Sequence, residues 1–323
     1  MPASGSSASR RPLAGWHCAP PPTDAGEVLA GLWLGGLDAR DVRVLDDRRG
    51  MPVFRAQVAG VPVVVRYRGA AAAAGFEVLQ HLWSGPLGVG DPTQPAGMPR
   101  PIAVLPASGL VITEYVAGPT AGRRGVPISP ELTDSAARLL TRLQRTPAAE
   151  GWSVIDQRHR LASLWRLVTE LVARDEVTAG RLGVVVALLD RLPPAPEPVV
   201  AGHGDFSPDQ VLLGPAGPVL IDLEGAHLAP AGRDLAHWEA WDWATQLVAG
   251  LEPEWRATPL AGIPRPSGPQ RCDVVGVRSG YAHRAAALVR IVHGWPVLRP
   301  PRAAPARHRI IAEALRLAGA AAE

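Results

Sequence analysis

The stretch PVVAGHGDFSPDQVLL, residues 198–213, places a loop with two aspartates between two apolar runs. The second run, 211–213, is followed by GPAGP and by a third apolar run, 219–221, which ends at Asp222. If the last two runs pair as a hairpin, Gln210 and Asp222 lie at the same end of it. An amide oxygen and a carboxylate that converge near a further carboxylate, Asp205, are suitable ligands for Mg²⁺. The stretch therefore predicts a magnesium site at one end of a hairpin.

Composition is typical of a globular protein of one or two domains, with 47% apolar and 20% charged residues over 323 positions. The formal charge of +3 is small for this length, so we expect no nucleic-acid partner. The apolar runs are too short to span a bilayer, and residues 1–22 lack the apolar segment of a signal peptide. The two cysteines form neither a metal motif nor a disulfide framework. We therefore expect a cytoplasmic protein with no membrane partner.

All 33 basic residues are arginine, and the chain contains neither Lys nor Asn. This skew indicates a GC-rich coding sequence. A missing Lys or Asn in a motif is consequently weak evidence that an activity has been lost.

The first third of the chain has the pattern of a small antiparallel sheet. Asp24 precedes a short helical pattern, and β-branched runs follow at 42–45, 52–58, 61–68, 101–105 and 109–116, with a helical pattern at 70–83. From residue 129 onward the patterns are helical and are interrupted only by the hairpin. They cover residues 129–144, 159–177, 181–192, 232–251, 278–292 and 307–321.

These patterns predict an α+β fold of two lobes. Residues 1–23 form a disordered tail, and residues 24–116 form an N-terminal lobe with a five-stranded antiparallel sheet plus a helix. Residues 117–323 form a larger helical C-terminal lobe.

Three segments, HGDFSPDQVLL (203–213), VLIDLEGA (219–226) and GRDLA (232–236), resemble the family of aminoglycoside phosphotransferases and choline kinases. The family pattern is H-G-D-x-x-x-x-N, then a strand ending in Asp, then G-D-x-x-x-D-L-A. The resemblance is dense over 199–238 and weaker but collinear from about 42 to 146. It implies a protein-kinase-like fold, in which residues 24–116 form the nucleotide-binding lobe and residues 117–323 form the catalytic and substrate lobe. It also implies a phosphotransferase that uses ATP, or GTP, with Mg²⁺. The acceptor would be a hydroxyl of a small molecule: an aminoglycoside-like antibiotic, a sugar or another natural product.

The resemblance assigns roles in the helical lobe residue by residue. Asp205 would be the catalytic aspartate that accepts or orients the proton of the substrate hydroxyl, and His203 would support its loop. Asp222 and Gln210 would bind the metal, and Asp234 would brace the loop from the following helix. Gln210 stands where the family usually has Asn, but its amide oxygen is the same type of ligand.

The resemblance also assigns a nucleotide site in the N-terminal lobe. Arg66 falls in the third strand, where the family has a phosphate-binding Lys, and Glu77 falls where the ion-pair partner of that Lys belongs. The segment ITEYVAGPT, 112–120, resembles the hinge that receives adenine through backbone groups at Glu114, Tyr115 and Val116. Arg and Lys are not equivalent at a tight phosphate site, so Arg66 is a real departure from the pattern.

Each assignment has a plainer structural interpretation. Asp205 could be a turn residue, Asp222 a cap, and Arg66 and Glu77 surface charges. Glu224 could contact the metal or only support its ligands. Three tryptophans could either pack within the protein or contact the acceptor: Trp238, Trp241 and Trp243. Four acidic residues could either form a solvated face or receive a cationic acceptor: Glu239, Asp242, Glu252 and Glu254.

A second function class remains open, that of a pseudokinase or kinase-like partner protein, for example in natural-product biosynthesis. The two departures, Arg66 and Gln210, favour it. The intact Asp205 and Asp222 favour the enzyme.

Overall fold

The protein is described by a computed structural model that covers residues 24–46, 53–91, 93–122, 127–194, 197–255, 272–300 and 303–323. It contains two compact units. The first holds the described residues up to Glu77 together with Pro101–Tyr115, and the second holds Val78–Arg100 and Val116–Glu323. The chain thus passes between the units inside the predicted hinge segment. The predicted tail, residues 1–23, lies outside the described residues.

The first unit is built on a five-stranded antiparallel sheet, which confirms the predicted architecture. Helix α1 (Ala25–Leu34) begins at Asp24, whose side chain accepts a hydrogen bond from the Glu27 amide at 2.9 Å. The strands lie in the order β1-β2-β3-β5-β4, and every adjacent pair is antiparallel. Their bounds are β1 Ala39–Asp46, β2 Val53–Val58, β3 Val61–Tyr67, β4 Pro101–Leu105 and β5 Leu110–Glu114, with α2 (Ala72–Ser84) following β3 in the chain.

One face of this sheet forms the core of the first unit. Phe54 and Ala56 on β2, and Val63 and Val65 on β3, alternate with more exposed neighbours and are almost completely buried. Val28 and Leu32 of α1, among others, belong to the same apolar cluster. The period-2 pattern in the sequence therefore fixes which side chains of each strand face the core.

The second unit is mainly helical. Its helices are α3 (Pro130–Gln144), α4 (Gln157–Val172), α5 (Glu176–Asp190), α6 (Gly232–Val248), α7 (Cys272–Gly294) and α8 (Ala304–Ala322). The expectation of one helix over 159–177 is wrong, because α4 ends at Val172 and a new helix begins after Asp175. The Asp175 side chain accepts a hydrogen bond from the Thr178 amide at 3.0 Å, which makes it the N-cap of α5.

The second unit contains two strand pairs. The predicted hairpin is present as β7 (Val211–Gly214) and β8 (Gly217–Leu220), with Val211 opposite Leu220. The expectation that only this hairpin interrupts the helices is wrong, because β6 (Val199–Gly202) also pairs with β9 (His227–Pro230). Each partner is only four residues long, and no local turn joins them, so the pairing leaves no signature in the sequence.

The helices of this unit close around an apolar cluster that is rich in small residues. Ala285 on α7 and Ala314 and Ala318 on α8 are buried there, and such side chains let neighbouring helix backbones approach closely. Over the described ranges, no helix has both the length and the apolarity needed to cross a bilayer.

Candidate active site

The loop that joins β6 to β7 is held in place by hydrogen bonds to Asp234. This residue lies in the first turn of α6 and is 3% exposed. One carboxylate oxygen accepts a hydrogen bond from the His203 amide at 2.6 Å, and the other accepts one from the Gly204 amide at 3.0 Å. Bonds from backbone amides to a buried carboxylate are stronger than bonds between neutral groups. Asp234 therefore fixes the backbone immediately before Asp205.

The ring of His203 ties the same loop to the hairpin. Its Nε2 lies 2.8 Å from the Ile221 carbonyl and donates to it, since a carbonyl can only accept. Its Nδ1 then accepts a hydrogen bond from the Asp205 amide at 3.3 Å. Both ring nitrogens are engaged and the residue is buried, so these contacts suit a supporting residue better than a proton carrier.

Gly204 is required by the backbone of the loop. Its φ is +86°, in the region that favours glycine, and a Cβ there would lie 2.3 Å from Cε1 of His227. The next apolar residue, Phe206, is completely buried against Trp238, with ring centroids 5.2 Å apart. The chain around Asp205 is consequently fixed on both sides.

The carboxylate of Asp205 is accessible, with 42% of the side chain exposed. Its Oδ2 accepts a hydrogen bond from the Gln210 side-chain amide at 3.4 Å, and its Oδ1 lies 3.6 Å from Nε2 of His237. Trp241 donates to that same nitrogen at 3.0 Å, and burial lowers the pKa of His237 to about 4. His237 is therefore neutral near pH 7 and does not form an ion pair with Asp205.

Gln210 and Asp222 lie at the same end of the hairpin, as the spacing predicts. The Ile221 amide donates to the Gln210 carbonyl at 2.9 Å, which continues the pairing of β7 with β8 by one step. Asp222 adopts a left-handed backbone conformation, with φ 64° and ψ 41°. Residues other than glycine adopt this conformation at a cost, and such residues are concentrated at functional sites.

The donor atoms of this pair fit a magnesium ion. The Gln210 amide nitrogen donates to Asp205, which leaves the amide oxygen available, and Asp222 carries a carboxylate. Both are oxygen donors of the kind that Mg²⁺ prefers. Glu224 is 6% exposed in the turn that follows Asp222. In the described parts of the chain, no three His, Cys, Asp or Glu side chains are grouped so that they could hold a metal ion.

The predicted nucleotide residues belong to the first unit, except Val116, which belongs to the second. Arg66 is on β3, opposite Val111 of β5, and is partly buried. Glu77 is exposed on α2, and within the described ranges it forms no ion pair with Arg66. The Tyr115 amide donates to the Pro62 carbonyl at 3.2 Å, so this amide already has a partner within the sheet.

The three tryptophans of α6 pack within the protein. Trp238 is 1% exposed under the loop, Trp243 stacks on Trp255 with centroids 5.5 Å apart, and Trp241 meets Trp295 edge to face at 5.0 Å. These contacts favour the packing interpretation.

The acidic residues near α6 are largely engaged as well. Glu239 is bound to Arg284 at 2.8 Å, Glu252 is bound to Arg309 at 2.8 Å, and Asp242 is buried. Glu252 and Glu254 are exposed, so two of the four acidic residues lie at the surface and the other two are buried.

Sequence reasoning missed a group of arginines beside the loop. Arg160, Arg166, Arg233 and Arg290 line one cavity together with His203 and Gly204. They come from three helices, α4, α6 and α7, so no local spacing could have joined them. Arg233 alone carried a signal, because it stands inside the segment GRDLA.

Comparisons with known proteins identify the family and the fold of the chain. A family model described as "Phosphotransferase enzyme family" matches residues 35–269. A search of curated proteins gives no match.

Among solved structures, a thermostable mutant of an aminoglycoside phosphotransferase has a TM-score of 0.57 and 12% identity, over 92% of this chain and 98% of that one. A spectinomycin phosphotransferase in complex with ADP and spectinomycin has a TM-score of 0.55 and 11% identity, over 92% and 99% of the two chains. A choline kinase from Streptococcus pneumoniae has a TM-score of 0.55 and 13% identity, over 90% and 99%. At these identities the structures show the fold alone, which is kinase-like. The family model covers well over half of the chain, and the chain therefore belongs to the phosphotransferase enzyme family.

Proposed function

We propose that this protein is an ATP- and Mg²⁺-dependent phosphotransferase that phosphorylates a hydroxyl group of a small molecule. One observation carries the proposal: Asp205 is accessible at the end of a loop whose backbone is held by two hydrogen bonds to the buried Asp234. Holding the catalytic group in place is what phosphoryl transfer needs most, because its transition state is loose and depends on positioning and charge stabilisation.

The residues of the helical unit divide the work in this proposal. Asp205 receives the hydroxyl of the acceptor and takes or orients its proton, while His203 and Asp234 keep the loop rigid. Asp222 and the Gln210 amide oxygen hold Mg²⁺. When bound, MgATP supplies the phosphoryl group, and the metal neutralises charge on the phosphates.

The nucleotide contacts proposed in the first unit follow the family resemblance. Arg66 binds phosphate oxygens as a guanidinium in place of the usual ammonium, and Glu77 is its proposed ion-pair partner. Because the Tyr115 amide already donates to Pro62, the adenine contacts fall to backbone groups of Glu114 and Val116. GTP is the competing nucleotide.

The test compares Asp205→Asn with Asp222→Asn. The first change keeps the size of the side chain and removes the proton acceptor, so nucleotide binding persists and transfer falls by about 10²–10⁴-fold. The second change removes charge from the metal site, so both Mg²⁺-dependent nucleotide binding and transfer fall. Asp134→Asn, at an exposed position of α3, is the matched control and leaves both unchanged.

Calorimetry with MgATP measures binding, and ATP consumption in the presence of candidate acceptors measures transfer. Aminoglycosides, sugars and amino alcohols form the first screen. Undiminished transfer by Asp205→Asn on an identified acceptor would show that the catalytic assignment is wrong.

A pseudokinase is the competing function, and the two departures at Arg66 and Gln210 are its support. A thermal-shift measurement with ATP, with and without Mg²⁺, separates the two classes. The proposed enzyme is stabilised by MgATP more than by ATP alone. Absence of any shift under both conditions would favour the pseudokinase.

A further inference from the structure

The helical unit contains a cavity of ≈ 520 Å³ that borders the catalytic loop. His203 and Gly204, the two residues that precede Asp205, form part of its wall. A volume of this size lies within the range of pockets that hold small molecules. A compound in the cavity would therefore lie beside the residue proposed to receive the acceptor hydroxyl.

The wall of this cavity is strongly basic. It includes four arginines and three histidines but no carboxylate, and its members are Ile155, His159, Arg160, Ala162, Ser163, Arg166, His203, Gly204, Gly225, His227, Arg233 and Arg290. Burial, together with the charge on Arg233, lowers the pKa of Arg160 and of Arg290 to about 10 in each case. Both guanidinium groups remain charged near pH 7, so like charges are held close together in a partly dry site.

The buried arginines are held in place by neighbouring groups, and carboxylates lie near enough to favour their charged forms: Glu197 for Arg160, and Asp205 and Asp234 for Arg233 and Arg290. Arg160 is 8% exposed, and its Nη1 donates to Nδ1 of His283, whose Nε2 lies 3.0 Å from Glu197. This chain fixes the guanidinium, but Arg160 Nε is buried without a hydrogen-bond partner among the described residues. Arg233 donates to Nε2 of His227 at 2.6 Å, and the other nitrogen of that ring donates to the Gly225 carbonyl at 3.0 Å.

The remaining two arginines have still fewer partners. Within the described parts of the chain, neither Arg166 nor Arg290 makes a hydrogen bond or a close ion pair. Asp205 and Asp234 lie near enough to Arg290 to favour its charge, but Asp234 already accepts two backbone hydrogen bonds. Several guanidinium donors thus remain for a ligand.

We propose that this cavity binds an anionic, hydroxyl-bearing small molecule, held by Arg160, Arg166 and Arg290 through a carboxylate or phosphate group. A guanidinium matches the planar arrangement of oxygens in such a group, and its binding relieves the repulsion among the arginines. The statement that this molecule is the phosphate acceptor rests on the proposed function. Glu239 and Asp242 are buried and Glu252 is bound to Arg309, so these three residues do not form an open acidic site for a polycation.

Binding is tested without nucleotide, by calorimetry in a phosphate-free buffer. Four compounds share one ring and differ in charge: glucose, glucosamine, glucuronate and glucose 6-phosphate. We expect the two anions to bind and the neutral and cationic sugars not to bind. The comparison of glucuronate with glucose 6-phosphate shows whether the site prefers a carboxylate or a phosphate. Failure of both anions to bind, or equal binding of glucosamine, would overturn the proposal.

A matched pair of variants on α4 locates the site. Arg166→Gln removes an exposed charge from the cavity, whereas Arg158→Gln removes an exposed charge from the same helix outside it. We expect Arg166→Gln and Arg290→Gln to weaken binding of the tighter anion by about 10- to 100-fold, as for loss of a charge-assisted hydrogen bond, and Arg158→Gln to have no effect. Equal effects of Arg158→Gln and Arg166→Gln would show that general charge, not the cavity, attracts the anion.

A kinetic measurement separates this inference from the proposed function. On an anionic acceptor, Arg290→Gln raises the KM for the acceptor and leaves the KM for ATP unchanged. A raised KM for ATP alone would assign the arginines to the nucleotide phosphates and would overturn the acceptor site. If the anions bind but no ATP is consumed with any acceptor, the anion site stands and the proposed function fails.

Discussion

Replacing Asp234 with Asn tests the support of the catalytic loop most directly. The carboxylate accepts two backbone hydrogen bonds, at 2.6 Å from His203 and 3.0 Å from Gly204, and it is 3% exposed. Asn keeps one acceptor oxygen and turns its NH₂ group toward the other amide, so one buried donor loses its partner. Loss of a charge-assisted bond with an unsatisfied amide left behind costs about 3 kcal/mol.

The expected consequences are a lower melting temperature and slower transfer. At about 2–4 °C per kcal/mol for a large domain, the second unit should melt about 6–12 °C lower. A loop displaced by about 1 Å should transfer phosphate about 10²-fold more slowly. Thermal denaturation and ATP consumption measure the two effects, with Asp134→Asn as the control for a charge change at an exposed helical position. A melting temperature within about 2 °C of the wild type would refute the reasoning, since the two bonds would then contribute little.

Three further predictions concern the same site. Gly204→Ala should reduce transfer sharply, because φ is +86° and a Cβ would lie 2.3 Å from His227; wild-type activity in this variant would contradict the loop geometry. Gln210→Ala should weaken Mg²⁺-supported turnover, while Gln210→Asn should retain much of it, because only the second keeps an amide oxygen; a Mg²⁺ titration of both variants decides. Burial lowers the pKa of His237 to about 4 from an ordinary 6.5. As the pH falls, the imidazole is therefore protonated in the unfolded protein before it is protonated in the folded protein. Stability should therefore be fully present above about pH 6.5 and fall by about 3 kcal/mol as the pH drops toward 4, and denaturant titrations of His237→Gln should show a shallower loss.

Much of the fold could be predicted from the sequence because its signals are local. The alternation of apolar residues in β2 and β3 identified the sheet and its buried face, and Asp24 identified the start of α1. The end of α4 was missed because its apolar pattern runs on through Val177, while the cap at Asp175 starts a new helix. The pairing of β6 with β9 was missed because both strands are short and distant in the chain.

For the candidate site, the sequence by itself determined which residues belong to the loop and the hairpin. The motif that contains Asp205, Gln210 and Asp222 is contiguous, and a hairpin register places its two ends together. The hold of Asp234 on the loop was likewise predicted from the motif, though not which amides it binds.

Only the tertiary structure decided the charge around that loop. Arg160, Arg233 and Arg290 are separated by up to 130 positions in the chain, counted from 160 to 290, and become neighbours because α4, α6 and α7 present them to one cavity. Neither the net charge nor the local sequence pattern predicts that these arginines line one cavity, because each of them alone resembles an ordinary surface charge of a helix. The burial that lowers the pKa of His237 also depends on how the helices pack. The same is true of the ion pair between Glu239 and Arg284. The residues proposed for phosphoryl transfer thus lie in a contiguous motif, whereas the charge of the cavity beside them depends on long-range packing.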